Sequence, residues 1–178
     1  MTPTVSKLDR RTFLKTGAAG AAGLVVGFYL PERALAELAP VPAGAFAPNA
    51  WIRILPDDTV TIVIDKSEMG QGVVTSLAML AAEELECDWK KIRWEFAPAD
   101  KAYINLAFGM QGTGGSASIR ASWKAMSQAG AAAREMLIEA AAKKWGVEKS
   151  ACHAENGAVI NDATKSRATY GSLAGAAA

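Results

Sequence analysis

Histidine occurs once and cysteine twice in the 178 residues, and no Cys-x-x-Cys spacing is present. The chain therefore carries no zinc knuckle or iron–sulfur cluster of its own, since both need several thiolates or imidazoles at short fixed spacings. The single histidine, His153, has no metal-binding companions and reads as an ordinary loop residue; it also leaves no basis for a nucleophile–histidine–carboxylate triad. Charge of one sign is scarce too. A formal net charge of +1 gives no basic footprint for nucleic acid. Long apolar runs are missing: the stretch Thr16 to Leu30 is only mildly apolar, rich in Gly and Ala, and short of the ~20 apolar residues that a membrane span needs. Cys87 reads as a free, partly buried thiol at a helix end, while its pairing with Cys152 stays open. Glu83, Glu84 and Glu86 crowd one short stretch, but neighbours on a helix point in different directions, so they read as a solvated face.

What is present begins with a targeting pattern. Asp9-Arg10-Arg11-Thr12-Phe13-Leu14-Lys15 is close to the twin-arginine export signal, with Asp before the arginine pair as its main departure. Pro31 ends the apolar stretch and Ala34-Leu35-Ala36 offers a small-x-small cleavage site. Residues 1–36 are accordingly expected to be an export signal that delivers the protein to the periplasm through the twin-arginine machinery. That route carries folded proteins, so a cofactor could be installed beforehand. Residues 37–49, with three prolines, read as a linker, and 50–178 as the domain. The residues after Ala36 are slightly acidic, which calls for no anionic surface or acidic partner.

Within the domain, Trp51 to Leu55 and Thr59 to Asp65 alternate around Pro56-Asp57-Asp58, which predicts a β-hairpin. Val73 to Glu84 has helical spacing and is closed by Asp88-Trp89; Ile92, Trp94 and Phe96 alternate as a strand; Ala99 to Gly109 reads as a surface loop. A long alanine-rich helix is predicted from Ser118 to Trp145, with Ala125, Ala129, Ala132, Met136 and Ala140 as its packing stripe. Ala158-Val159-Ile160 and the region of Tyr170 read as short strands. The five tryptophans read as core or interface residues. Hairpins outnumber crossovers in this pattern, so the fold class expected is α+β, with two helices each following a glycine-rich loop.

Those loops organise the chain. Gly109 to Arg120 reads G-M-Q-G-T-G-G-S-A-S-I-R and opens the long helix. Glu68-Met69-Gly70-Gln71-Gly72 follows a strand and opens the earlier one. Glycine permits positive φ and a close approach of backbone to ligand. The first turn of a helix leaves amides unpaired, with a dipole that favours an anion, and Ser116 and Ser118 are suitable N-caps. Two such corners could grip a diphosphate-bearing cofactor, and the Gln71 amide suits the edge of a heterocycle. Glu68 is expected to orient its loop. A module binding a phosphate-bearing ligand at two helix N-termini, without catalysis, is the alternative.

The segments E-M-G-Q-G-V-V-T-S-L, A-E-E-L-x-x-D-W and Q-G-T-G-G-S-A-S-I-R, in this order, resemble the large subunit of molybdenum hydroxylases, the xanthine dehydrogenase and aldehyde oxidase family, and within it the exported isoquinoline 1-oxidoreductase branch. The resemblance runs from about Pro48 onward and implies that 50–178 is part of a molybdopterin-binding domain, an N-terminal portion of a longer oxidoreductase subunit. It implies hydroxylation of aldehydes or N-heteroaromatic compounds with oxygen from water. The cofactor implied is molybdopterin, plain or as the cytosine dinucleotide, with [2Fe–2S] clusters only on a small partner subunit and a cytochrome as onward acceptor. By motif position Gln71, flanked by Gly70 and Gly72, would contact the pterin. Thr113, Gly114, Gly115, Ser116 and Ser118 would hydrogen-bond the pterin or its phosphates. The family's catalytic glutamate lies in a G-x-G-E segment, which does not occur here. No catalytic residue is therefore expected in this chain, and the chain alone is expected to be inactive.

Overall fold

The structure, a computed structural model, describes residues 46–49, 51–105 and 108–177. All belong to the second of the two units into which the chain divides, Val41–Ala178. The expected export signal, and the expected linker up to residue 45, lie outside the described residues.

The β-branched run VTIVI makes strand β3 (Val60–Ile64), buried at every position. It pairs antiparallel with β2 (Ile52–Ile54), with Ile54 opposite Val60, around the predicted turn. That turn holds Asp58 at φ 69° and is closed by the Leu55 amide on the Thr59 carbonyl at 2.9 Å. β1 (Phe46–Asn49), within the stretch expected as linker, adds to the other side of β2. From β3 the chain crosses over through helix α1 (Val73–Leu85) to β4 (Ile92–Phe96), which lies parallel to β3 at the sheet edge. Helix α1 ends with Glu86 in the left-handed conformation rather than at Asp88-Trp89; Asp88 instead caps the short 3-10 turn Trp89–Lys91, accepting from Lys90 N at 3.0 Å. The expected surface loop after β4 includes another 3-10 turn, Lys101–Tyr103, whose Tyr103 is buried edge-on against Trp51 with ring centroids 5.0 Å apart.

Helix α2 (Ser118–Trp145) runs over the predicted residues and ends on Gly146 at φ 64°. Its buried face differs from the alanine stripe expected. Ser122, Met126, Ala129, Gly130, Ala133, Leu137, Ala140 and Ala141 face inward, while Ala132 is exposed and Met136 is 39% exposed. The physical reason is Gly130. A Cβ there would stand 2.5 Å from the Ala81 carbonyl oxygen and 2.9 Å from Glu84 Cβ, so α1 crosses α2 where α2 has no side chain. Close approach of the two backbones selects the face with the glycine, not the face with the most alanines.

A second sheet follows, β5 (Cys152–Glu155), β6 (Ala158–Asn161) and β7 (Arg167–Thr169), all antiparallel, and then helix α3 (Tyr170–Ala177). His153 is thus on a strand, exposed, with Nδ1 2.7 Å from Asp162 Oδ1, and not in a loop. Tyr170 opens a helix instead of belonging to a strand, and its buried hydroxyl donates to the Leu85 carbonyl at 2.6 Å. The core joins Ile52, Ile54, Ile62 and Ile64 of the first sheet to Leu77, Ala81 and Leu85 of α1, Met126 and Leu137 of α2, and Val159 and Leu173 beyond. Each fully buried aliphatic side chain contributes about 1.5–3 kcal/mol relative to an exposed one. Four antiparallel pairings and a single parallel one make the fold α+β.

Candidate functional site

Strand β3 feeds directly into the first glycine corner. Gly70 and Gly72 both have positive φ, 92° and 77°, so the chain turns sharply into α1. The Glu68 carboxylate folds over this turn. Its Oε1 accepts from Gly70 N at 2.8 Å and Gly72 N at 3.0 Å, and its Oε2 accepts from Val74 N at 3.1 Å. These amides, that of Val74 foremost, hold the Glu68 carboxyl below its ordinary range. The Val74 amide in the first turn of α1, and the Gly70 and Gly72 amides before it, are therefore already served by the protein's own anion. Gln71 is also turned inward: its Oε1 accepts from Met69 N at 2.5 Å and its Nε2 donates to the Ser67 carbonyl at 2.7 Å. An anion held equally by both helix N-termini does not fit this arrangement.

The second corner is built differently. Gly115 and, without being glycine, Ser116 sit at φ 56° and 50°. Ala117, not Ser116 or Ser118, is the N-cap of α2, and no side chain caps the first-turn amides. The serines fail as caps for a geometric reason. Ser116 lies in the left-handed region, whereas a capping serine takes an extended conformation, and Ser118 is already the first helical residue. Their hydroxyls stay available beside uncapped amides, and Arg120 closes the edge with Nε donating to the Ser116 carbonyl at 3.3 Å. Gly114, Gly115 and Ser116 are exposed, and Thr113 and Ser118 are partly buried.

The two corners meet. Ser67 N donates to Thr113 Oγ1 at 2.8 Å, a clasp between positions 46 residues apart. The structure thus ties Thr113 of the second corner to Ser67, the residue just before the first corner. The expected residues fit an acceptor-rich ligand at the second corner, where hydroxyls and uncapped amides converge on open space. A Cβ added at Gly70, Gly72 or Gly114 would meet nothing within 4 Å, so room exists for a ligand to approach the backbone.

Beside the clasp lies a pair that sequence reasoning missed. Asp65 and Lys66, the residues between β3 and the first corner, form an ion pair with 3% and 1% side-chain exposure. Ser122 Oγ, on α2, lies 3.5 Å from Asp65 Oδ1, a long contact. The available signal was an acidic and a basic residue following an unbroken β-branched strand, where solvent was not guaranteed. Cys87 and Cys152 are both free thiols, and burial pushes the Cys87 thiol up to about 12, so it is no nucleophile at neutral pH.

A family model described as molybdopterin cofactor-binding domain matches residues 15–178. The chain is 37% identical over 175 residues to the isoquinoline 1-oxidoreductase subunit beta of Brevundimonas diminuta, a match covering 96% of this chain and 22% of that protein. It is 36% identical over 152 residues to a membrane-bound aldehyde dehydrogenase (pyrroloquinoline-quinone) of Gluconacetobacter polyoxogenes, covering 83% and 19% respectively. The crystal structure of quinoline 2-oxidoreductase from Pseudomonas putida 86 superposes with a TM-score of 0.55 at 20% identity, over 70% of this chain and 15% of that one, a likeness of fold. The chain spans about a fifth of the length of the curated relatives it matches.

Proposed function

The chain belongs to the molybdopterin cofactor-binding domain family, and from that premise we propose that it forms part of the cofactor cradle of an exported molybdenum hydroxylase. The intact enzyme would act on aldehydes or N-heteroaromatic compounds, with oxygen drawn from water. It would pass electrons to a small [2Fe–2S] subunit and onward to a cytochrome. The observation that carries the reading is the Ser67–Thr113 clasp, which sets the two glycine corners side by side. The second corner is the holding one. Thr113, Ser116 and Ser118 hydroxyls and the uncapped amides at the start of α2 would bind the pterin or its phosphates, in plain or cytosine dinucleotide form. Gly114 and Gly115 allow the approach, while Glu68 and Gln71 fix the facing wall formed by Gly70 and Gly72. When bound, the molybdenum cofactor supplies the redox centre. The chain contains no G-x-G-E glutamate, so its own residues bind and orient rather than move protons.

Molybdenum content of the purified intact subunit tests the cradle, with folding checked by circular dichroism. Gly115→Val should abolish retention, because residue 115 is at φ 56° and its Cβ would sit 3.4 Å from the Phe108 ring. Gln71→Ala should reduce retention by loosening the first corner. Ser118→Ala should be the mildest, since it removes no cap and at most one ligand hydrogen bond of about 0.5–1.5 kcal/mol. Full metal loading of well-folded Gly115→Val would place the cofactor elsewhere. Export rests on Arg10-Arg11. Changing both to lysine should leave the protein in the cytoplasmic fraction, and normal periplasmic recovery would refute that route.

A further inference from the structure

The second corner begins with Gly109, Gly112, Gly114 and Gly115, a composition that gives an unsupported loop many conformations. In the structure it is supported at almost every step. Asn105, 2% exposed, lies just before it. The Asn105 amide donates to the Met110 carbonyl at 3.0 Å, and its carbonyl accepts from Phe108 N at 3.0 Å and Gly109 N at 2.9 Å. Its side-chain Nδ2 donates to the Gly112 carbonyl at 3.3 Å. The Phe108 ring backs the next stretch. A Cβ at Gly112 would stand 3.7 Å from its Cδ2, and one at Gly115 3.4 Å from its Cζ. Between those two glycines, Thr113 is held by Ser67 N. Gly114 differs, because a Cβ there would meet nothing within 4 Å.

We infer that Asn105 and Phe108 are positioning residues of the cofactor cradle, setting the second corner in its holding shape before a ligand arrives. The inference rests on the cradle reading given above and adds to it two residues outside the glycine motif. A ligand that must first order a loop binds more weakly by the entropy of that ordering, and glycine loses more of it than any other residue. Here the ordering belongs to folding, through one buried anchor and one ring. Phe108 is 45% exposed, so burial alone gives little reason for an aromatic side chain at this place. Support of the two glycines does give one. None of these contacts uses the Ser116 or Ser118 hydroxyls or the first-turn amides of α2, which stay available to a ligand.

The test is the half-time of molybdenum loss from the intact subunit during dialysis, with the melting temperature of each variant measured alongside. Asn105→Leu keeps the size of the side chain and removes the donor to Gly112. Phe108→Ala removes the ring from a half-exposed position and leaves the core intact. Each should shorten the half-time by about two- to ten-fold, the effect of one lost contact. Gly130→Ala is the reference, since it disturbs α1 near its C-terminal end, where Ala81 and Glu84 lie. A merely structural role would shorten the half-time no more than Gly130→Ala does for the same loss of melting temperature. Should Asn105→Leu fail to fold, Phe108→Ala decides. Unchanged half-times, or half-times that follow melting temperature as in the reference, would overturn the inference. If Gly115→Val loses its metal while these variants keep theirs, the cradle stands and only the inference falls; if Gly115→Val keeps its metal, both fall.

Discussion

Three main-chain amides converge on the Glu68 carboxylate, which occupies the place that an exogenous anion would otherwise take at the start of α1. The same bonds make its ionisation depend on folding. The folded carboxyl titrates below its ordinary value of 4.5, so its contribution to stability is present in full above that value and disappears as the pH falls through the depressed one. Glu68→Gln should therefore lower the melting temperature near neutral pH, and the gap from the parent should close on acidification. Melting curves recorded from neutral to strongly acid pH check this. A gap that stays constant with pH would mean that the charge at position 68 is not what the amides hold. Lys66 shows the opposite kind of residue: its partner, Asp65, is its sequence neighbour, and its burial comes from packing around the end of β3. Periodicity marked that stretch as strand and its polar end as exit, and it could not show that elements far along the chain would close over it.

At the scale of elements, the α1–α2 crossing depends on one missing side chain. Gly130→Ala would gain helix propensity, about 1 kcal/mol in an exposed helix. Its Cβ, however, would press on the Ala81 carbonyl and Glu84 Cβ, and overpacking of this kind costs about 1–3 kcal/mol. Backbone atoms on both sides cannot swing aside, so the substitution should be net destabilising, whereas Ala132→Ser on the exposed face should be near neutral; urea unfolding of both variants measures the difference. A Gly130→Ala variant as stable as the parent would mean that the helices separate freely. The helices themselves were legible, α2 to the residue, because a 3.6-residue period sustained over 28 residues is hard to mistake. The face that α2 buries was not, since alanine is inward or outward with equal ease and the glycine contact is tertiary. The short β5 and α3 were missed for a related reason. Four residues such as Cys152–Glu155 hold too few alternations to stand out, and α3 (Tyr170–Ala177) is secured by tertiary bonds: the Tyr170 hydroxyl on Leu85, and Gly171 N on Asp58 Oδ1 at 2.8 Å. Of the candidate site, the glycine positions were readable from composition. The use of Glu68 and Gln71 against their own loop, and the serines' failure to cap, depend on backbone angles that residue types alone do not specify.

For the molecule as a whole, the outer edge of the first sheet is the least finished surface. β4 is an edge strand, and Trp94 and Phe96 on it are 51% and 52% exposed, stacked edge-on at 5.2 Å, with Trp89 just before it 49% exposed. Unpaired strand edges with large apolar side chains template pairing with another chain. The purified 178-residue chain should therefore scatter light increasingly with concentration, and Trp94→Thr with Phe96→Thr should reduce the effect while leaving the far-ultraviolet circular dichroism unchanged. A parent chain that stays monodisperse at high concentration would contradict this.

The clasp between Ser67 and Thr113 has a bearing on how the protein matures. Its two ends are 46 residues apart, and between them lie α1, the β4 pairing and the antiparallel bridge of Asn105 to Met110. Contacts across such a span close only after the loop entropy has been overcome by the intervening elements. The corners become neighbours only once those elements are in place, and a half-folded chain offers a ligand two separate loops instead of one cradle. A cofactor reaching across both would stabilise only molecules that had finished folding, by simple mass action on the native state. Occupancy of the cradle would then act as a certificate of folding.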